Sequence, residues 1–155
     1  MRARAVATSC IVLFAACGTP DTELPEADSG AEIAAEPTMV SVSIADFAGT
    51  WENTSRLEGV DEPVQSTMTG TGSGDDWTLS LEGRDNIPLE VSIVGDSLIG
   101  QSAEYESILR PGVMVTVRTA STLHGDMLMG NMVATYRTPQ GEERVLGTIE
   151  GRRVP

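Results

Sequence analysis

One histidine and two cysteines leave little material in this chain for a metal site or a nucleophilic triad. The one histidine, His124, precedes Gly125 and has Ser121 and Asp126 close by. A catalytic histidine needs a hydroxyl or water on one side and an orienting carboxylate on the other. A hairpin turn supplies the same three residue types by ordinary turn chemistry. His124 therefore reads as a turn or surface residue, and no catalytic residue is assigned. Met127, Met129 and Met132 share one segment, with Met68 and Met114 elsewhere. Haem ligation by His124 and a methionine is the sharp alternative. Thioethers filling a core, or lining an apolar pocket, are the ordinary one. Asp75-Asp76 forms a polar loop and lacks the alternating ligand positions of a calcium loop. No glycine-rich loop joins a strand to a helix in the manner of a phosphate site. No metal or cofactor is expected, and no enzymatic activity.

The charge excludes further classes. The 155 residues carry 23 acidic side chains against ten basic ones, net -13, and every basic residue is arginine. Nucleic-acid binding draws its affinity from a basic face, so it is not expected. An electrostatic grip on anionic lipid is disfavoured for the same reason. The acids are unevenly placed. Residues 45–100 hold 11 acids and two arginines, whereas residues 101–155 hold six of each. Such a negative surface keeps a protein soluble; a basic envelope protein is the partner it would suit.

The N-terminus carries an address. Arg2 and Arg4 precede a mostly apolar run, Ala5 to Ala16, which ends at Cys17. Twelve residues are too few to span a bilayer, which takes about 20, but suit the core of a secretory leader. Leu13-Phe14-Ala15-Ala16-Cys17 resembles the lipobox of bacterial lipoproteins, with Phe14 where leucine is commonest. The resemblance implies a signal peptide over 1–16, cleaved before Cys17, and acyl chains on Cys17 that anchor the protein to a membrane. Two or three chains give a stable anchor where one is marginal. Gly18, not aspartate, follows the cysteine, which by the sorting habit of such lipoproteins implies the outer membrane. With Cys10 removed in the leader, the mature chain would then hold no free thiol. Gly18 to about Ser43 contains three prolines, six acids and no base. Such a segment buries too little apolar surface to offset its ordering entropy. Residues 17–44 are thus expected to be a disordered acidic tether, with at most a transient helical turn over Ala31–Glu36.

Residues 45–155 read as one antiparallel β domain. Short alternating segments are broken by Gly, Asp, Asn and Pro, the all-β pattern. Eight are expected: Thr50–Leu57, Val64–Thr71, Trp77–Gly83, Leu89–Val94, Ser97–Ser102, Val113–Ser121, Met127–Tyr136 and Arg144–Arg152. One face of each is apolar, as in a sheet with a single core. Gly95-Asp96 and Gly125-Asp126 suit tight hairpins. Gly83-Arg84-Asp85-Asn86, Ser73-Gly74-Asp75-Asp76 and Pro139-Gln140-Gly141 read as further connections. Glu104 to Leu109 reads as one helical turn stopped by Pro111-Gly112. A meander of eight strands closes into a small barrel, filled by side chains or holding one small ligand; an open sheet or a sandwich is the alternative.

Gly49-Thr50-Trp51 at the first strand resembles the Gly-x-Trp signature of lipocalins and the wider calycin group. In that group an arginine near the end of the last strand stacks on the tryptophan and closes the barrel base. Alternation along Val145, Gly147, Ile149 and Gly151 selects Arg153 over Arg152 for that place, as a cation–π partner of Trp51. The domain also resembles a type of uncharacterised secreted or lipid-anchored bacterial β domain, through Tyr105-Glu106-Ser107-Ile108-Leu109-Arg110 and Gly151-Arg152-Arg153. The lipocalin-like resemblance implies a barrel that holds a small apolar ligand, lined by Trp77, Leu79, Leu81, Val115, Val117, Met132 and Tyr105. Tyr105, Ser107 and Arg110 either line the mouth, or Tyr105 caps the core and Arg110 makes an ion pair. A ligand cup of ordinary size asks for a void of roughly 300 Å³ or more. A filled barrel that acts structurally, or through its outer face, is the competing expectation.

Overall fold

The computed structural model describes residues 41–155. The expected signal peptide, Cys17 and all of the expected tether before Ser41 lie outside the described residues. The described chain opens with a 3-10 turn, Ile44–Phe47, started by Ser43. The Ser43 backbone N–H and hydroxyl both donate to the Asp46 carboxylate, at 2.7 and 2.9 Å. Nine strands follow: β1 (Gly49–Leu57), β2 (Val64–Gly70), β3 (Trp77–Leu81), β4 (Arg84–Val94), β5 (Ser97–Ser102), β6 (Tyr105–Glu106), β7 (Met114–His124), β8 (Met127–Thr138) and β9 (Gly141–Val154).

The architecture is all-β and antiparallel, as the alternation predicts, and it is a closed barrel, not the alternative open sheet or sandwich. Successive strands pair from β1 to β5; β5 then pairs with β7, and β7, β8 and β9 lead back to β1. Eight strands therefore close on themselves, and closure removes the exposed edges that an open sheet would present. The remaining strand, β6, lies outside this ring and, among the described residues, pairs only with β7.

Two local expectations are corrected. Glu104 to Leu109 is not a helical turn. Pro111-Gly112 reverses the chain, with Gly112 at φ +80°, so Tyr105 and Glu106 pair antiparallel with Val115 and Met114. The Ser107 N–H donates to the Val113 carbonyl at 2.8 Å, closing a hairpin where a helix would have needed bonds four residues apart. Nor is Gly83-Arg84-Asp85-Asn86 a loop throughout. The reversal uses Glu82 and Gly83, and β4 starts at Arg84, opposite Leu81. The register shifts between Leu79 and Leu81, and Asn86 takes the left-handed conformation at φ +56°, a common habit of Asn. The polar cluster thus marks an irregularity within a strand. β7, β8 and β9 each run further than the apolar alternation suggests, because ladder bonds continue to the two-residue turns at Gly125-Asp126 and Pro139-Gln140.

Inside the barrel the core divides into two clusters. At the end closed by the 3-10 turn, Phe47, Trp51, Met68, Trp77, Leu89, Leu98 and Leu128 pack together, with Val42 and Ile44 against them. At the other end lie Leu57, Val115, Met132, Ala134 and Tyr136, with Tyr105, Leu109 and Val117 against them.

Candidate functional site

The base of the barrel is built around Trp51. Alternation along β1 points its indole inward, and it is fully buried. Its Nε1–H donates to the Phe47 carbonyl at 2.8 Å, satisfying the one polar atom that burial would otherwise strand. Trp51 pairs with Arg153 across β1 and β9. The Arg153 guanidinium lies 4.3 Å from the centre of the indole ring. The same guanidinium donates to the Ala48 carbonyl, and to the Asp46 carbonyl at 2.8 Å. Arg152 points outward and is exposed. Gly49 sits beside this stack: a Cβ there would stand 3.3 Å from an Arg153 nitrogen. The arrangement binds the entry turn, the first strand and the last strand into one closure.

Between the two apolar clusters runs a belt of small polar residues. On β1, the alternation that turns Trp51 inward also turns Asn53 and Ser55 inward, and both are buried. Asn53 pairs with Ser66 of β2 on one side and Gly151 of β9 on the other. Thr119 pairs with Gly100, and the buried Ser121 with Gly130. Ser102 is also buried and accepts the Val117 N–H at 2.8 Å. Apolar patterning of the sequence passes over this belt. Its signal is parity: any residue two or four positions from Trp51 faces the same way.

The interior retains a cavity of about 70 Å³, lined by 21 residues that include Asn53, Ser55, Ser66, Leu79, Leu81, Tyr105, Val115, Val117, Met132 and Tyr136. Leu79, Leu81, Val115, Val117, Met132 and Tyr105 are brought together on its wall. Trp77 is not. Its ring packs over Gly70, where a Cβ would overlap the indole. Its Nε1–H donates to the Ser73 carbonyl at 2.7 Å. It fills the base instead of facing the void. The cavity falls well short of the roughly 300 Å³ of an ordinary ligand pocket, so the barrel in this closed form is not a cup of that size.

The mouth is covered by Ser107–Gly112. The Ser107 hydroxyl accepts the Leu109 and Arg110 N–H groups, each at 3.1 Å, and Ile108 and Leu109 reach the cavity. Arg110 makes two hydrogen bonds to the Glu143 carboxylate, at 2.7 and 2.8 Å, and its guanidinium lies 4.2 Å from the centre of the Tyr136 ring. These bonds hold the Glu143 carboxyl below its usual range. The Glu106 carboxyl is lowered likewise, first by the Gly112 N–H it accepts and then by the charge of Arg84. Burial pushes the Tyr105 phenol up to about 12. Tyr105 thus packs in the upper cluster while Arg110 makes the ion pair.

The residues around His124 do not form a site. Ser121 points into the barrel, whereas His124 is exposed and its Nε2 lies 2.9 Å from the Thr122 hydroxyl. Among the described residues, no three of His, Cys, Asp and Glu gather in a way that holds a metal ion. Comparison with protein-family models, with curated proteins and with solved structures finds no match to this chain.

Proposed function

We propose that the chain is a lipid-anchored envelope protein whose nearly filled barrel serves as a rigid scaffold and meets a partner through its outer face. The observation that carries this reading is the interior volume of about 70 Å³, too little for a lipid-sized ligand without rearrangement. Two clusters of buried side chains occupy the rest. The anchor rests on the leader that ends at Cys17, and the outer membrane on Gly18. On the outside, Glu52, Glu82 and Glu90 are exposed on the acidic half of the wall, the side to which a basic envelope protein is complementary.

Native mass spectrometry of the protein extracted from its own envelope tests the scaffold. The expected mass is that of the acylated chain, free or with a basic protein partner. The partner should be lost when Glu52→Gln, Glu82→Gln and Glu90→Gln are combined. A stoichiometric lipid beyond the covalent acyl chains would sink the reading. Cys17→Ser should release the protein from membranes, and retention there would sink the anchor.

A further inference from the structure

We infer that the cavity inside the barrel binds a short, neutral molecule carrying a hydrogen-bond donor at one end, with the donor seated on the Asn53 amide. This goes beyond the scaffold reading and does not depend on it.

Asn53 supplies the first argument. It is 2% exposed, and among the described residues its Oδ1 has no hydrogen-bond partner. Its Nδ2 reaches only the Trp51 carbonyl, at a stretched 3.5 Å. A buried acceptor left without a donor is unfavourable by about 1–3 kcal/mol, and such groups are rare enough to call for a partner. The Oδ1 sits against Gly151, where a Cβ would collide with it. The last torsion of an Asn side chain is broad, so the weakly held amide can turn from Gly151 to the lumen it lines. Ser55 and Ser66 stand beside it on that lining.

The walls supply the second argument. Leu79, Leu81, Val117 and Met132 are apolar, and among the described residues no Asp, Glu, Lys, Arg or His lines the cavity. A carboxylate or ammonium head would lie there without a counter-charge, which is strongly unfavourable in an apolar surround. A hydroxyl or amide N–H meets an acceptor that lacks only a donor.

Size supplies the third. The closed cavity equals roughly two water volumes at about 30 Å³ each, room for the hydroxyl and first carbon of an alcohol. A longer tail meets Leu109, which is carried by the mouth segment. That segment is held by exposed contacts, Arg110 to Glu143 and Glu106 to Gly112, so its opening would lengthen the cavity.

Titrations of the whole mature chain with ethanol, 1-butanol and butyrate, followed by methyl NMR, test this. The alcohols should give saturable shifts confined to methyl groups that line the cavity, among them Leu79, Leu81, Val117 and Met132, with Leu109 added for the longer one. Butyrate should bind at least ~10-fold more weakly than 1-butanol. Asn53→Leu should weaken alcohol binding by about 5–10-fold, while xenon still shifts the same methyls and shows the cavity intact. Asn53→Ala serves if the leucine variant fails to fold. Leu109→Ala should move the preference to longer alcohols. The inference is overturned by non-saturable shifts, by butyrate binding as well as 1-butanol, or by unchanged alcohol affinity in the Asn53 variants. Any of these leaves the scaffold reading standing, whereas a lipid found in native mass spectrometry removes that reading alone.

Discussion

A single side chain, Trp51, ties three parts of the chain together. It fills the base, donates to the entry turn and lies under the arginine of the last strand. Truncating a fully buried tryptophan removes its transfer free energy and leaves a cavity. Trp51→Ala should therefore destabilise the domain by about 3–5 kcal/mol in urea unfolding. Arg153→Met keeps the stem of the side chain and removes both the stack and the hydrogen bonds to the Ala48 and Asp46 carbonyls, with an expected loss of at least about 0.5–2 kcal/mol. The two changes should not add, because the stack is lost in either variant. A loss under about 1 kcal/mol for Trp51→Ala would mean that the indole is not the closing element of the base. That an arginine of the last strand meets Trp51 is what the resemblance to calycins implies, and alternation along β9 distinguishes Arg153 from Arg152 for that place. Asn53 is equally accessible by parity from Trp51. Apolar patterning misses it because an inward Asn carries no weight in a pattern of apolar walls.

At the level of the element, the strands that alternate cleanly, such as Ser97–Ser102, are legible to the residue. The departures fall where tertiary contacts override local pattern. Glu104–Leu109 lacks any signal for β6, because a two-residue strand is made by its partner β7 and by the Pro111-Gly112 reversal. Trp77 alternates correctly along β3 and is correctly inward. Which inward layer it occupies depends on strand tilt and stagger, which one strand's sequence does not encode. Gly70 is the complementary residue. It carries no side chain because the Trp77 indole lies in that space. Gly70→Ala should force the indole out of place, with a loss of about 1–3 kcal/mol from overpacking and a changed near-ultraviolet circular dichroism band. An unchanged band together with unchanged stability would show that the base tolerates a shifted indole. Replacing Gly83, whose Cβ would meet nothing within 4 Å, tests backbone conformation alone and should leave that band intact.

Across the whole molecule, wall and ends are held by different forces. The wall is a closed ladder of backbone hydrogen bonds between neutral groups, which pH leaves alone. The end segments are pinned by carboxylates that accept backbone N–H groups. Asp46 accepts from Ser43 at 2.7 Å, Asp76 from Thr71 at 3.3 Å and Glu106 from Gly112 at 2.9 Å. All three carboxyls are held below their ordinary values of 3.8 for Asp and 4.5 for Glu. The leading causes are the Ser43 N–H, the Thr71 hydroxyl and the Gly112 N–H. A depressed folded value means a contribution fully present above the ordinary value and lost as pH falls through the folded one. These contacts should therefore be intact above about pH 5 and fail progressively below about pH 4. The net negative charge falls over the same range, which relieves repulsion in the wall. The ends should thus open while the barrel still holds. Hydrogen exchange should show the Ser43, Thr71 and Gly112 amides losing protection on acidification before the amides that pair β7 with β8. Loss of both sets at one pH, with one midpoint, would show that the end pins and the wall are a single cooperative unit.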